Sequence, residues 1–206
     1  VRDVESRPEA DRAAAIVDRH TRRWIERFVV GLNLCPFAAP LIRKTMGEDA
    51  LQANSAPLRI AVCAQARPRA MAEAVLAELE LLSTTPSAEL VTSVLVFSAA
   101  LRDFDDYLDF LALAEELLFE SGLEGSVQIA SFHPDYQFDG AGADDVANFT
   151  NRAPYPMLHF LREDAVSEAV DRYPAAADIP QRNVDRLQAM GIDAVQILLK
   201  EIAQDR

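Results

Sequence analysis

Three apolar runs, LRIAVC at residues 58–63, LVTSVLVF at 90–97 and VQIASF at 127–132, are separated by two helical patterns, and that alternation decides the fold class. Short apolar runs bounded by turn residues read as strands, and strands alternating with helices read as crossover units of an α/β sheet. The run at 90–97 is nearly all apolar, which suits a strand covered on both faces. Between the first two runs, Met71, Val75, Leu79 and Leu82 recur on one side of a helix over Pro68 to Leu82. Between the second and third, Phe104, Tyr107, Leu108, Leu111 and Leu118 do the same over Phe104 to Ser121, and Gly122 ends the pattern. The expectation is a small, mainly parallel sheet of about three strands with crossover helices. If the strands are parallel, Gln65, Ser98 and His133 reach one edge of the sheet, where open α/β folds bind ligands.

Upstream of this core, Ser6-Arg7-Pro8-Glu9 has the form of a capping box, and an apolar stripe through Ile16, Val17, His20, Trp24, Phe28 and Leu32 follows it. An N-terminal helix over about 8–31 is expected. In the turn after it, Pro36 forces Cys35 out of helical geometry, and residues 43–57 read as a polar connection. Downstream, residues 133–155 form a long irregular segment rich in large aromatic groups. Segments of that length in a compact domain are usually functional or disordered, and buried aromatics argue against disorder. Pro156 suits the first position of a helix through Arg162. Further helices are expected over Ala165 to Tyr173, from Asp178-Ile-Pro180 to Met190 with a stop at Gly191, and beyond Asp193. The whole, 1–206, reads as a single α/β domain: an N-terminal helix, a core over about 58–132, and a loop with a helical C-terminal region over about 133–203.

Composition narrows the classes of partner. Twenty basic and thirty-three acidic residues leave a net charge of −13, which repels a phosphate backbone, so nucleic acid is not an expected partner. No apolar run approaches the roughly 20 residues of a membrane span, and the N-terminal stretch alternates acids and bases where a signal sequence would carry an apolar core. No membrane association is expected, and a cytoplasmic location follows. The two cysteines, Cys35 and Cys63, show neither CxxC nor zinc-type spacing, and a disulfide between them is disfavoured in a reducing compartment.

Three motifs concentrate the reactive side chains: NLCPFA at 33–38, FHPDYQF at 132–138, and TNRAPYPMLH at 150–159 followed by LRE. In these motifs the chain resembles the bacterial proteins grouped as domain of unknown function 1415 (DUF1415), over about Thr21 to Gly191. It departs at Ala153, where the family motif has serine, so a hydroxyl there is not essential to this protein. The resemblance implies kinship and carries no activity.

The residues themselves support three functional readings. In the first, the protein is an enzyme acting on a small anionic molecule. Cys35 serves as nucleophile and His133 and His159 as bases, because the thiolate is the reactive species and a histidine can generate it. Asp135 or Asn151 orients a ring, and Arg152 and Arg162 hold the substrate through their guanidinium forks. Asn33, Tyr136 and Tyr155 complete the binding set. In a helix, His159, Arg162 and Glu163 would share one face. In the second reading His133, Asp135 and His159 hold a catalytic metal, as in a metal-dependent hydrolase, although the HxD pattern is common by chance. In the third, the same loop is a noncatalytic module binding a metabolite or a protein. The bland alternatives stand beside these: Cys35 as a small buried hydrophobe, the histidines bonded to backbone groups, and Arg162 in an ion pair with Glu163 or Asp164. A small-molecule ligand is expected, whereas the sequence specifies no cofactor and no oligomeric state.

Overall fold

A computed structural model describes residues 6–46 and 57–204. Its four strands are β1 (Leu58–Cys63), β2 (Thr92–Phe97), β3 (Val127–Phe132) and β4 (Met157–Arg162), in the order β1-β2-β4-β3. The sheet is mixed. β1 and β2 pair in parallel, while β4 pairs antiparallel with β2 on one side and with β3 on the other. The three expected strands do run in one direction, but a fourth strand is inserted between the second and third. The expectation of about three mainly parallel strands is corrected accordingly.

The missed strand is the segment expected to be a helix. MLHFLR is covered on both faces, and such a central strand is a continuous apolar run without a period of two. Pro156 precedes it, at a position where a missing amide does no harm: its carbonyl accepts from the Phe97 amide at 2.9 Å. The helix begins only afterwards, as α5 (Glu163–Asp171), with Glu163 and Asp164 in its first turn favoured by the helix dipole.

Alternation along each strand sorts side chains into two cores. On one face α3 (Pro68–Thr84) and α4 (Phe104–Glu120) cover Cys63, Leu95, Phe97, Leu158 and Phe160. The Asp103 carboxylate caps α4 by accepting from the amides of Asp105 and Asp106. On the other face lie α1 (Ser6–Trp24), its π-helical continuation over Ile25–Val30, and α2 (Ala38–Met46), with α6 (Ile179–Met190) and α7 (Ile192–Ile202) completing the layer. They cover Leu58, Val94, Val96 and Met157. The helix α2 occupies the start of the expected polar connection at 43–57, whose residues 47–56 lie outside the described residues, as do the side chains of the Ser6 to Pro8 part of the capping box.

Two glycines are placed by geometry. A Cβ on Gly31 would sit 2.3 Å from the Arg27 carbonyl oxygen, so the tight end of the π-helical turn requires glycine. Gly191, at φ +86°, separates α6 from α7 as the expected stop.

Tyr107 ties the sheet to the helix layer. It is fully buried, donates its hydroxyl to the Met157 carbonyl at 2.9 Å and accepts the Phe132 amide at 3.0 Å, bridging paired ends of β4 and β3. Burial holds its phenol well above its ordinary 10, so it stays protonated. Tyr107→Phe leaves two buried backbone groups without that partner and is expected to lower stability by about 1–3 kcal/mol with the fold retained, measured by urea denaturation.

Candidate functional site

A cavity of about 710 Å³ opens against the helical face of the sheet that carries α1, α2 and α6. Its floor is Thr92, Val94, Met157 and His159 of β2 and β4. Trp24, Leu34, Cys35 and Phe37 wall one side, Phe138, Thr150 and Asn151 of the long segment another, and Ile179 and Val184 a third. A volume in the range of about 300–1,000 Å³ with mainly apolar walls and few polar groups is the usual form of a small-molecule site.

The long segment that reaches the cavity is built rather than slack. Asn148, fully buried, accepts the Phe138 amide at 3.0 Å on Oδ1 and donates Nδ2 to the Gly142 carbonyl at 2.8 Å, so it folds residues 138–148 on themselves. A 3-10 turn over Val146–Thr150 follows, and a parallel bridge joins His133 to Arg152.

The structure divides the expected site residues between the two faces. His133 follows Phe132, and alternation turns it toward α4, where its ring packs on Phe104 and Tyr107 with centroids 5.1 Å away. It is completely buried, its Nε2–H donates to the Leu101 carbonyl at 2.9 Å and Nδ1 accepts the Asp135 amide at 3.0 Å. Both nitrogens are therefore occupied in a neutral ring. Burial lowers its pKa from the ordinary 6.5, against the opposing pull of the Leu101 carbonyl, Asp135 and Asp103. His159 sits on the opposite face, beside Phe132 and in the cavity floor. The two histidines thus stand on either side of the sheet and do not converge. The Asp135 side chain is exposed, and among the described residues no three His, Cys, Asp or Glu groups are arranged to hold a metal ion.

His159 lies in a strand, not on a helix face with Arg162 and Glu163 as the sequence suggested. Its neighbour Arg162 points to the other core, donating Nε to the Leu90 carbonyl at 3.0 Å and an Nη to the Thr85 carbonyl at 2.6 Å. It clasps the connection into β2. Arg152 is spent similarly: Nε donates to the Tyr136 carbonyl, an Nη donates to the Ala143 carbonyl, and the guanidinium lies 4.1 Å from the Phe149 ring centroid. Tyr155 bonds His20 Nδ1 through its hydroxyl at 2.8 Å, with the rings stacked, and His20 is buried by this contact. Tyr136 packs between Phe104 and Phe138. Ala153, where a serine was expected, is buried in the core.

What the cavity does gather is Cys35, Asn151 and His159. Asn33, in the left-handed region at φ +53°, offers its carbonyl to Arg182, and Asn183 donates to the Leu34 carbonyl, so α6 holds the Cys35 turn in place. Burial pushes the Cys35 thiol above its ordinary 9.0, outweighing the amides of Phe37 and Ala38 and the charge of Arg182, which pull it down. No hydrogen bond joins Cys35 to either histidine among the described residues. Asn151 donates to the Ser131 carbonyl and accepts from Thr150. The residue that sequence reasoning missed is Thr92, whose hydroxyl meets His159 Nε2 at 2.7 Å. Its one signal was a Thr-Ser pair heading an otherwise apolar strand.

Compared with known families, residues 16–197 match the model described as Protein of unknown function (DUF1415). The chain belongs to that family. The DUF1415 match spans all three motifs, so the turn, the long segment and β4, and the cavity between them, lie within the matched residues. No curated protein and no solved structure matches the chain. Among the described residues of this DUF1415 protein, no helix is long and apolar enough to cross a membrane.

Burial lowers the His159 pKa to about 4, so both sheet-flanking imidazoles resist a proton that the unfolded chain accepts. Their neutrality stabilises the fold fully above the ordinary value of 6.5, and the contribution is lost as pH falls below it, for His159 toward about 4. Thermal denaturation across that range is expected to show a falling melting temperature, with a shallower fall in His159→Asn.

Proposed function

We propose that this DUF1415 protein binds a small, largely apolar molecule in the cavity between β2, β4 and the helices of the Cys35 face. The observation that carries the reading is the enclosure of about 710 Å³ with aliphatic and aromatic walls around a single imidazole. Apolar surface is costly to leave against water, and a ligand of matching chemistry gains from displacing it. The anionic substrate expected from Arg152 and Arg162 loses support, because both guanidinium groups are engaged with backbone carbonyls away from the cavity floor. The metal-hydrolase reading loses support for the reason already given: its two histidines flank the sheet from opposite sides.

A second reading is favoured by the position of Cys35 on the same cavity as His159. A thiol there would attack an electrophile carried by the ligand, provided a base removes its proton, since burial keeps the thiolate scarce. Iodoacetamide labelling separates the two. A binding site predicts slow Cys35 alkylation at pH 7 that rises with pH and is blocked by a cavity ligand, whereas a nucleophile predicts fast labelling at neutral pH.

The binding reading is tested with Nile red, a neutral fluorophore that brightens in apolar surroundings. The wild-type protein is expected to bind it at one site per chain and to melt at a higher temperature in its presence. Ala165→Phe, which fills space at a half-exposed cavity position on α5, is expected to weaken binding by roughly tenfold while the protein remains folded. Unchanged Nile red binding in Ala165→Phe would remove the cavity as its site.

A further inference from the structure

The hydrogen bonds around Thr92 assign the proton on His159. Thr92 has one hydroxyl hydrogen, and its oxygen lies 2.6 Å from the Phe160 carbonyl, which can only accept. That hydrogen is therefore spent. The contact of 2.7 Å between Thr92 Oγ1 and His159 Nε2 must then be donated by the ring. His159 carries its proton on Nε2, and Nδ1 holds a bare lone pair. No described residue bonds Nδ1, while the ring lines the cavity and is only half-buried because it borders that space. An acceptor left unmatched among apolar walls is costly unless something occupying the cavity satisfies it.

The charge of that occupant also follows from the lining. Among the described residues no Asp, Glu or Lys borders the cavity, so an ammonium group would enter without a counter-ion from them. Among the described lining residues the one Lys or Arg is Arg162, and it turns its guanidinium to the other core, so a carboxylate would enter without a cationic partner from them either. The net charge of −13 adds to the disadvantage of an anion.

Resting on the cavity-binding reading, we infer that the ligand is an uncharged apolar molecule bearing a hydroxyl group, such as a phenol or a long-chain alcohol, which donates its O–H to His159 Nδ1. Thr92 is a positioning residue: by accepting from Nε2 it holds the ring in the tautomer that leaves Nδ1 free to accept. The low proton affinity of the ring keeps this acceptor available across the whole neutral range.

Displacement of Nile red from the full chain tests the inference with matched probes: 4-octylphenol, its methyl ether 4-octylanisole, which keeps the body and loses the donor, and the anion 4-octylbenzoate. The expected result at pH 7 is displacement by the phenol at a roughly tenfold lower concentration than by the ether, the value of one buried hydrogen bond, with the benzoate weakest. In His159→Phe, which keeps the apolar volume, the phenol and the ether should become equivalent while both still displace the dye. Thr92→Val should narrow the preference without removing binding. Equal displacement by phenol and ether in the wild type, or a phenol preference that survives His159→Phe, overturns the hydroxyl inference and leaves the cavity reading standing. A benzoate that outcompetes the phenol overturns it in favour of an anionic ligand. Failure of the wild type to bind Nile red or any of the three probes overturns the cavity reading, and the inference falls with it.

Discussion

The structure depends on β4 pairing along both of its edges, with β2 on one side and β3 on the other. A strand so placed satisfies every backbone group along its length only if its neighbours hold their register. Tyr107 and Arg162 secure the two ends of that arrangement: the phenol bridges Phe132 and Met157, and the guanidinium clasps the segment leading into β2. Because β4 lies between two cores, alternate side chains must serve opposite faces. That constraint sends His159 to the cavity and Arg162 away from it, and it explains why adjacent motif residues have unrelated duties.

The antiparallel neighbours β3 and β4 could be joined by a tight turn, yet residues 133–156 connect them. The excess chain is organised from within by polar groups. Asn148 folds the first part, Arg152 collects two carbonyls, His133 closes its start against Leu101, and Trp24 donates from the N-terminal helix to the Arg152 carbonyl at 3.2 Å. Buried polar groups at this density fix one conformation, since each has a specific partner to lose. The segment thereby becomes a rigid wall of the cavity. Across that cavity, the Cys35 turn is fixed by Arg182 and Asn183 of α6 rather than by the loop itself.

Several polar side chains are consumed by such structural work. His133 has both nitrogens engaged, and Glu78, buried on α3, takes Arg59 and the Ser93 hydroxyl and so links the helix layer to β1 and β2. His159 is the exception. Only one of its nitrogens is used, and its environment is an apolar space rather than a protein partner. The difference between a structural histidine and one available to a ligand lies in that single unmatched atom.

The apolar runs at 58–63, 90–97 and 127–132 were sufficient for three strands with a common direction, because a short buried run flanked by turn residues has few other uses. The helices between them, and the stop at Gly191, were equally legible from spacing and backbone preference. The three motifs were sufficient for the family. Only the tertiary structure decided that Met157–Arg162 is a strand, since an apolar run covered on both sides has no period to distinguish it from a helix turn. It alone set His133 and His159 on opposite faces, because the facing of a side chain depends on strand pairing that lies outside its own segment. And it alone supplied Thr92, distant in the chain from His159 and adjacent to it in space, which determines where the imidazole keeps its proton.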